Sequence, residues 1–581
     1  MERNSEMSQE AREPRPTPQR AKTTAEKTTE TTRAASPGAR GAESATAHAR
    51  SHQRPGAHPG YVTARPERCM VASAAHTDER DLAGLLSQDA GIRVLRTFAS
   101  QGPGPSRYGQ AARSARIAVI EAGPGQAAVS AALPGLYVEP DPPLGYGEPR
   151  EVPAGPPPVP YGEPVTLTVT VHDDADRPVE TAAVHLLCPG AAVTAVTGKD
   201  GRAQLAVPGE LLDAALLLEV RPRGGHYGSV LIRPRLSRGE PNLVACRRLT
   251  TALRDFPEHA HVSWAERALG LDRMPPTFRG HGMRVGLIDS GAQDRHPDLA
   301  DHLGNGRDVL GQDDKSWRQD RLGVGTACAA LIAGRDDGTG VVGIAPEAEV
   351  NCLRVMPGGY GSDLIEALDY AIAERLDVVQ LSVHCAGPSR LVAEKIEQAR
   401  QAGVACVAAA GDGGGPVPFP ANLPQVLTVG AVGLHGTFPP ESRAATLEAT
   451  GPASPEGLFA PAFTNAGPEV DVCAPGVAVV CAVPNGGYAA LDGTSIAAAH
   501  VTAVAALVLA HHPLLRDGRG PQGAERVDQL FALIRASARQ PMFGPYGMTD
   551  PARCGAGIPD AAQCVSYAPS TSLPPLAVAF V

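Results

Sequence analysis

The chain has 581 residues, of which 43% are hydrophobic and 20% charged, and its formal net charge is −10. This length predicts roughly three or four globular domains. The surplus of acidic residues argues against a nucleic-acid-binding protein, because phosphate contacts need an excess of lysine and arginine. No apolar run in the sequence reaches the roughly 20 residues of a membrane-spanning helix, so we expect neither a nucleic acid nor a membrane as a partner.

The first 66 residues form a polar tail. Between Met1 and Gly60 the sequence contains no valine, isoleucine, leucine, phenylalanine, tryptophan, tyrosine or cysteine. Such a segment buries too little apolar area to offset its conformational entropy, so residues 1–66 are predicted to be disordered. They also lack the apolar core of a signal peptide, which predicts a cytoplasmic protein, or a secreted one if the start codon is misassigned. The eleven cysteines form no Cys-x-x-Cys pair and fit free thiols in a reducing compartment.

Residues 67–140 are predicted to form a small α+β domain with a split βαβ, ferredoxin-like arrangement. The hydrophobic pattern predicts strands at 69–74, 92–98, 117–121 and 136–138 and helices at 78–88 and 124–133. Residues 141–164 follow as a semi-rigid linker, since ten prolines lie between Glu139 and Pro164. The tetrapeptide Tyr-Gly-Glu-Pro occurs twice in this region, at 146–149 and 161–164.

Residues 165–235 are predicted to form an immunoglobulin-like β-sandwich. Short alternating runs indicate strands at 165–171, 183–187, 203–207, 216–220 and 229–232, separated by turn residues. No residue in this region suggests chemistry, so we expect a spacer or docking module. A connector at 236–262 leads to the next domain.

Residues 263–567 are predicted to form a doubly wound α/β domain with a mainly parallel sheet, followed by a C-terminal tail at 568–581. The predicted strands are 284–288, 378–383, 404–409 and 426–432, and they alternate with predicted helices at 325–333, 362–375, 392–401 and 494–511. In such folds the functional site lies beyond the carboxyl ends of the strands.

The residues that follow these strands form a recognisable set of motifs. The first strand ends in Asp289-Ser290-Gly291, a later one in Ala408-Ala409-Ala410-Gly411-Asp412, and Gly493-Thr494-Ser495 opens the long helix. With these blocks, and with Gly343-Ile344-Ala345-Pro346 between them, the chain resembles the subtilisin-like serine peptidases, the subtilase family. The resemblance implies that the 67–140 domain is of the propeptide type, an intramolecular partner that caps the active site.

The resemblance assigns two of the three catalytic positions to reactive side chains. Ser495 matches the nucleophile and Asp289 the orienting carboxylate. The family's general-base histidine begins a helix in the sequence His-Gly-Thr, and the matching residues here are Val324-Gly325-Thr326. A serine hydroxyl needs a neighbouring base to remove its proton, and valine has no lone pair.

The oxyanion position departs from the family as well. The family's asparagine donates a hydrogen bond to the developing oxyanion, and here that position is Asp412, whose ionised carboxylate would repel it. An aspartate at this position resembles the sedolisins, but their acidic base residues correspond to Val324 and Cys328. The substrate cleft is assigned to Ser382, Val383 and His384, with His384 replacing a family glycine. His384 is also the candidate substitute base, whereas His500 and His296 match structural histidines.

These observations predict a pseudoprotease that binds a peptide or protein in its cleft. The alternative is an active serine endopeptidase that uses Ser495 with a non-standard base such as His384. We expect no cofactor and identify no metal ligands, while the resemblance leaves calcium open. Calcium stabilises many members of the family, but Asp298, Asp301 and Asp308 do not define a ligand set and fit a solvated acidic loop.

Overall fold

The computed structural model describes residues 67–73, 79–88, 91–100, 115–123, 136–146, 164–300, 302–311, 313, 315–448, 453–516, 520–544 and 546–565. The predictions for the tail at 1–66, the helix at 124–133 and the tail at 568–581 lie outside these residues. Of the predicted linker at 141–164, the ends at 141–146 and 164 are described.

The N-terminal described domain is a four-stranded antiparallel sheet with a helix on one face. Its strand order is β2-β3-β1-β4. The helix packs Leu82 and Leu86 against the alternate side chains Val71, Ala118 and Ile120 of the sheet. The elements are β1 (Glu67–Ser73), α1 (Glu79–Leu86), β2 (Ile92–Ser100), β3 (Ala115–Ala122) and β4 (Leu136–Pro140), and the short strand β5 (Leu144–Tyr146) follows them.

The second domain consists of two packed sheets, β11-β10-β7-β8 and β12-β6-β9. Its elements are β6 (Pro164–Asp173), β7 (Ala183–Cys188), β8 (Ala191–Val196), β9 (Arg202–Pro208), α2 (Gly209–Leu212), β10 (Leu217–Arg221), β11 (Ser229–Ile232) and β12 (Asn242–Cys246). The last strand pairs in parallel with β6 and buries Val244 and Cys246. The domain therefore extends past the predicted boundary at residue 235 into the predicted connector, because five residues with two buried side chains give a weak local pattern. Strand β8, an edge strand with one partly buried face, was also absent from the prediction.

The third domain is built on a parallel sheet in the order β14-β15-β13-β16-β18-β19-β20, with β21 paired to β19. Only the β19–β20 pair of this sheet is antiparallel, so the predicted α/β architecture is confirmed. Its strands are β13 (Arg284–Asp289), β14 (Arg307–Asp308), β15 (Glu349–Arg354), β16 (Val378–Leu381), β18 (Ala405–Ala409), β19 (Leu427–Leu434), β20 (Leu458–Phe459) and β21 (Val472–Pro475), and outside the sheet lie β17 (Val383–Cys385), β22 (Val479–Val483) and β23 (Gly487–Leu491).

Four helices of this region were predicted, at 325–333, 362–375, 392–401 and 494–511, and each agrees with the structure to within two residues at either end. The 14-residue helix at Ala524–Ser537 and four short helices were not predicted. The helices are α3 (Leu249–Ala252), α4 (Trp264–Ala268), α5 (Val324–Ala333), α6 (Gly361–Ala373), α7 (Arg390–Gln401), α8 (Thr494–His511), α9 (Ala524–Ser537), α10 (Pro551–Cys554) and α11 (Ala561–Cys564). Helix α8 is long and apolar enough to cross a membrane, yet 89% of it is buried inside the protein. It is the core helix of the domain, which explains why it is hydrophobic on every face.

Two carboxylates of the N-terminal domain dock it on the third domain. Glu139, at the end of β4, accepts hydrogen bonds from the Ser389 hydroxyl and the Arg390 amide at the start of α7. Asp141 accepts hydrogen bonds from the amide and hydroxyl of Ser362 at the start of α6, at 2.9 and 2.8 Å. Carboxylates are favoured at helix N-termini because amide donors and the helix dipole point at them. These two anchors direct the following residues, including β5, across the third domain.

Candidate active site

Asp289 ends the central strand β13 and is completely buried. Its Oδ1 accepts a hydrogen bond from the Ser290 amide at 2.6 Å, whereas its buried Oδ2 has no hydrogen-bond partner among the described residues. Burial, together with the negative charge of Asp320, raises the pKa of Asp289 to about 7, against the opposing effect of the Ser382 hydroxyl. Without a cationic partner among the described residues, this carboxyl is thus about half protonated at neutral pH, as expected from desolvation.

Val324 is the first residue of helix α5, and Asp320 organises that helix start. Its Oδ1 accepts hydrogen bonds from the Gly323 amide and the Ser290 hydroxyl, and its Oδ2 accepts from the amide and hydroxyl of Thr326 at 2.8 and 2.7 Å. Asp320 therefore fixes the start of α5, whose first side chain is the aliphatic Val324. Sequence reasoning missed Asp320, although an aspartate shortly before an apolar helix is a recognised capping signal.

Ser495 lies in the first turn of α8, and its backbone is held by groups from two other elements. Gln380 Nε2, on β16, donates to the Ser495 carbonyl at 2.9 Å and to Ser382 Oγ at 2.9 Å. The Cys328 thiol, on α5, points at the same carbonyl at 3.5 Å. Burial and the nearby Asp289 carboxyl raise the Cys328 pKa, so this thiol stays neutral. The contact of Gln380 and Cys328 with Ser495 was not predicted, and Cys328 was named only for its place in the comparison with the sedolisins, because an amide or thiol inside an apolar run carries no local sign of its partner.

Asp412 follows β18 and binds the start of the same helix. Its Oδ1 accepts hydrogen bonds from the Thr494 amide at 2.8 Å and from the Thr494 hydroxyl at 2.7 Å. Burial raises the pKa of Asp412 to about 6, and the Thr494 hydrogen bonds partly oppose this shift. With this pKa the group is mostly ionised at neutral pH and accepts hydrogen bonds from the start of α8.

Val324, Asp412 and Ser495 line one cavity of about 200 Å³, which Tyr146 also lines. Tyr146 belongs to β5, so a residue from the predicted linker reaches the candidate active site. Its phenolic oxygen is buried without a hydrogen-bond partner among the described residues. Burial and the neighbouring carboxyl groups, Asp289 foremost, raise the Tyr146 pKa well above its usual value, so the phenol remains neutral.

His384 lies on β17, where it faces β5. It lines a second cavity of about 550 Å³ together with Leu144 and Gly145, whereas Ser495 lines the first cavity. Burial lowers the pKa of His384, so the ring is neutral at physiological pH. The other two cleft residues predicted from the sequence lie next to His384. Ser382 accepts a hydrogen bond from Gln380, and Val383 pairs with Tyr146 of β5.

The remaining candidates have local partners. His500 Nδ1 lies 2.9 Å from the Ile496 carbonyl, one turn earlier on α8, and burial lowers its pKa to about 4. His296 contacts the Gly487 carbonyl through Nε2 at 3.0 Å. Asp308 pairs with the buried Arg354.

The predicted acidic loop does not assemble into a metal centre in the part of the chain that the structure describes. No group of three histidine, cysteine, aspartate or glutamate side chains there is placed to hold an ion. Asp298 instead accepts hydrogen bonds from the Val341 amide and the Tyr488 hydroxyl. Asp301 lies outside the described residues. All eleven cysteines are buried and unpaired.

The β-sandwich closes one side of the Ser495 cavity. The loop at 222–228, between β10 and β11, contributes His226 and Tyr227 to the cavity wall. The guanidinium of Arg443 joins Glu219 of the sandwich to Asp492 of the third domain. The candidate site is therefore bounded by β5 on one side and by the second domain on another.

Comparison with known proteins agrees with the geometry of the third domain. The model of the subtilase family matches residues 280–545. Subtilisin DY of Bacillus licheniformis is 31% identical over 246 residues, which cover 41% of this chain and 80% of that protein. The major intracellular serine protease of Bacillus subtilis is 30% identical over 246 residues, 40% of this chain and 69% of that protein.

Subtilisin E of Bacillus subtilis is 32% identical over 246 residues, which cover 41% of this chain. The chain spans 58% of the length of that relative. The residues matched by the family model lie in the parallel-sheet domain and include Asp289, Val324, Asp412 and Ser495. The chain belongs to the subtilase family of subtilisin-like serine peptidases.

Proposed function

We propose that this subtilase-family chain is a pseudoprotease that retains the peptide-binding cleft and does not hydrolyse peptide bonds. The observation that carries the proposal is Val324, an aliphatic side chain at the base position in the same cavity as Ser495. Without a base the Ser495 proton has no acceptor, and the nucleophile stays a neutral alcohol.

The electrostatics of the cavity support the same proposal. With its pKa at about 6, Asp412 carries negative charge at neutral pH at the position where the tetrahedral intermediate would place its own. Asp289 has no imidazolium to stabilise, and its pKa of about 7 keeps it partly protonated. A subtilisin that loses the corresponding oxyanion donor loses about 10²–10³ in rate, and one that loses the triad histidine about 10⁶.

The occupied cleft supports binding as the remaining role. Strand β5 pairs with β17 in antiparallel register, which is how an extended peptide adds to the edge of a sheet. We propose that residues 67–140 are a propeptide-type, ferredoxin-like domain that acts as an intramolecular partner, and that the two-sheet domain is an immunoglobulin-like module closing the opposite side. Partners of this protein would be peptides or proteins that replace β5.

A fluorophosphonate probe of Ser495 tests the proposal. We expect slow labelling of the wild type from acid to alkaline pH, no labelling of Ser495→Ala, and fast labelling after Val324→His is combined with Asp412→Asn. Because Tyr146 lines the same cavity as Val324, the restoring variant is made with and without Tyr146→Ala. Rapid wild-type labelling together with peptide turnover, lost in Ser495→Ala, would favour the active endopeptidase instead.

A further inference from the structure

The cleft is occupied by three residues of the chain itself, in a defined register. Tyr146 pairs with Val383, Gly145 with His384, and Leu144 with Cys385. The Leu144 amide also donates to the Gly359 carbonyl at 2.8 Å, so the strand is held on both sides.

The first position takes an apolar side chain. Leu144 is 7% exposed and packs into the core cluster that contains Val355 and Met356. Gly359 keeps this pocket open, since a Cβ there would lie 3.2 Å from Leu144 Cδ1 and closer still to the Val355 carbonyl. A polar side chain at this position would be buried without a partner.

The second position takes a residue without a side chain. A Cβ at Gly145 would lie 2.9 Å from His384 Cδ2 and closer still to Cε1 and Nε2. The whole edge of the imidazole therefore covers this position. The backbone of Gly145 is not left-handed, so a larger residue here would be opposed by the imidazole, which would have to turn away from the strand, and not by the conformation.

The third position takes an aromatic side chain. The Tyr146 ring lies against the core cluster that includes Val383, and it enters the cavity next to Val324 and Ser495. Valine is smaller than the family's histidine, which leaves room for a ring at this point of the cavity. Phenylalanine fits the same requirement, because the Tyr146 hydroxyl makes no hydrogen bond with the described residues.

We propose that His384 is a specificity-determining residue, and that the cleft selects extended peptide segments with the sequence apolar–glycine–aromatic. This inference rests on the proposed peptide-binding function and names its ligand class. The pocket around Leu144 selects an apolar residue at the first position of the peptide, and His384 selects glycine at the second. The space beside Val324 selects an aromatic residue at the third. In the resting protein, residues 144–146 satisfy all three and hold the cleft until a competing strand displaces them.

The test uses the full chain with its own strand released by Leu144→Glu and Tyr146→Glu. The probe is a fluorescein-labelled hexapeptide with the sequence of residues 143–148. The matched control peptide carries alanine at the position of Gly145. Binding is measured by fluorescence anisotropy with His384 present and after His384→Ala. Because a steric overlap of this kind weakens binding by about tenfold or more, we expect that loss for the alanine peptide with His384 and at most about a threefold loss without it.

Equal loss in both backgrounds, or no loss in either, would overturn the role of His384 while leaving peptide binding intact. Failure of both peptides to bind would overturn the proposed binding function together with this inference.

A second measurement does not depend on the released variant. Gly145→Ala in the otherwise unchanged chain should expose the backbone amide of Ala386, which donates to the Pro143 carbonyl at 3.0 Å, to faster hydrogen exchange, and His384→Ala should restore its protection. A change that is global or insensitive to His384→Ala would indicate a merely structural role for this glycine.

Discussion

Replacing Asp289 with asparagine should stabilise the third domain more at alkaline than at acidic pH. In the folded protein the pKa of Asp289 is raised from 3.8 to about 7, so ionisation opposes folding. Between these two values the folded state binds more protons than the unfolded state, and stability falls as pH rises until it levels off above pH 7. Above pH 7 the raised pKa of Asp289 lowers the free energy of unfolding by roughly 4 kcal/mol, and at pH 5 it lowers it by about 2 kcal/mol.

Asparagine has nearly the same shape as aspartate, but its side chain does not ionise. Any penalty for burying the amide is independent of pH, so the diagnostic quantity is the difference between two conditions. We compare the free energy of unfolding of Asp289→Asn with that of the wild type at each pH. We expect this difference to be about 2–3 kcal/mol more favourable at pH 8 than at pH 5. The change has this sign because the neutral form of the carboxyl is the one that the buried site favours.

Urea unfolding followed by tryptophan fluorescence measures this difference. Both tryptophans of the chain, Trp264 and Trp317, are buried in the third domain and report its unfolding. The control is Asp528→Asn, a half-exposed carboxylate paired with Arg400, which should shift stability by less than about 1 kcal/mol at both pH values. A gain for Asp289→Asn that is the same at pH 5 and pH 8 would refute the reasoning that this carboxyl is held near neutrality by burial.

Three further predictions concern the helix start, the second domain and processing. Asp320→Ala removes the acceptor at the start of α5 and should lower stability by about 3 kcal/mol or more, with Asp320→Asn intermediate; equal thermal unfolding of the three proteins would contradict this capping role. Arg443→Met leaves Glu219 and Asp492 without their shared cation and should speed hydrogen exchange in the 222–228 loop; unchanged exchange there would show that the ion pairs do not hold the second domain in place. Purified protein should keep its intact mass of 60.0 kDa on storage, and a cut before the third domain that disappears in Ser495→Ala would contradict the absence of self-processing.

The sequence alone determined the elements that carry the family motifs. Helix α8 was predicted with the bounds that the structure has, and the predicted end of β13 differs by one residue. These segments are buried on all sides, so their apolar runs are continuous and their ends are marked by glycine and polar residues. The same motifs located Asp289, Val324, Asp412 and Ser495, because each follows a strand or begins a helix at the edge where parallel sheets place their sites.

Weakly buried elements escaped prediction for the opposite reason. Strand β8 has one face that is only partly buried, and β12 buries two side chains in five residues, so neither has a pattern strong enough to separate it from a loop. Asp320 was missed although its partners Gly323 and Thr326 are local, and only its hydrogen bond from the Ser290 hydroxyl, 30 residues earlier, depends on the tertiary structure.

The tertiary structure decided what occupies the cleft. A proline-rich segment predicted as a linker supplies β5, which pairs with a strand more than 200 residues later and places Tyr146 beside Ser495. Arg443 joins two domains through Glu219, which lies 224 residues away. Local sequence fixes helices and strands because their hydrogen bonds and side-chain periodicity are local. The pairing of distant segments depends on the shape and charge of surfaces that exist only after those elements have packed.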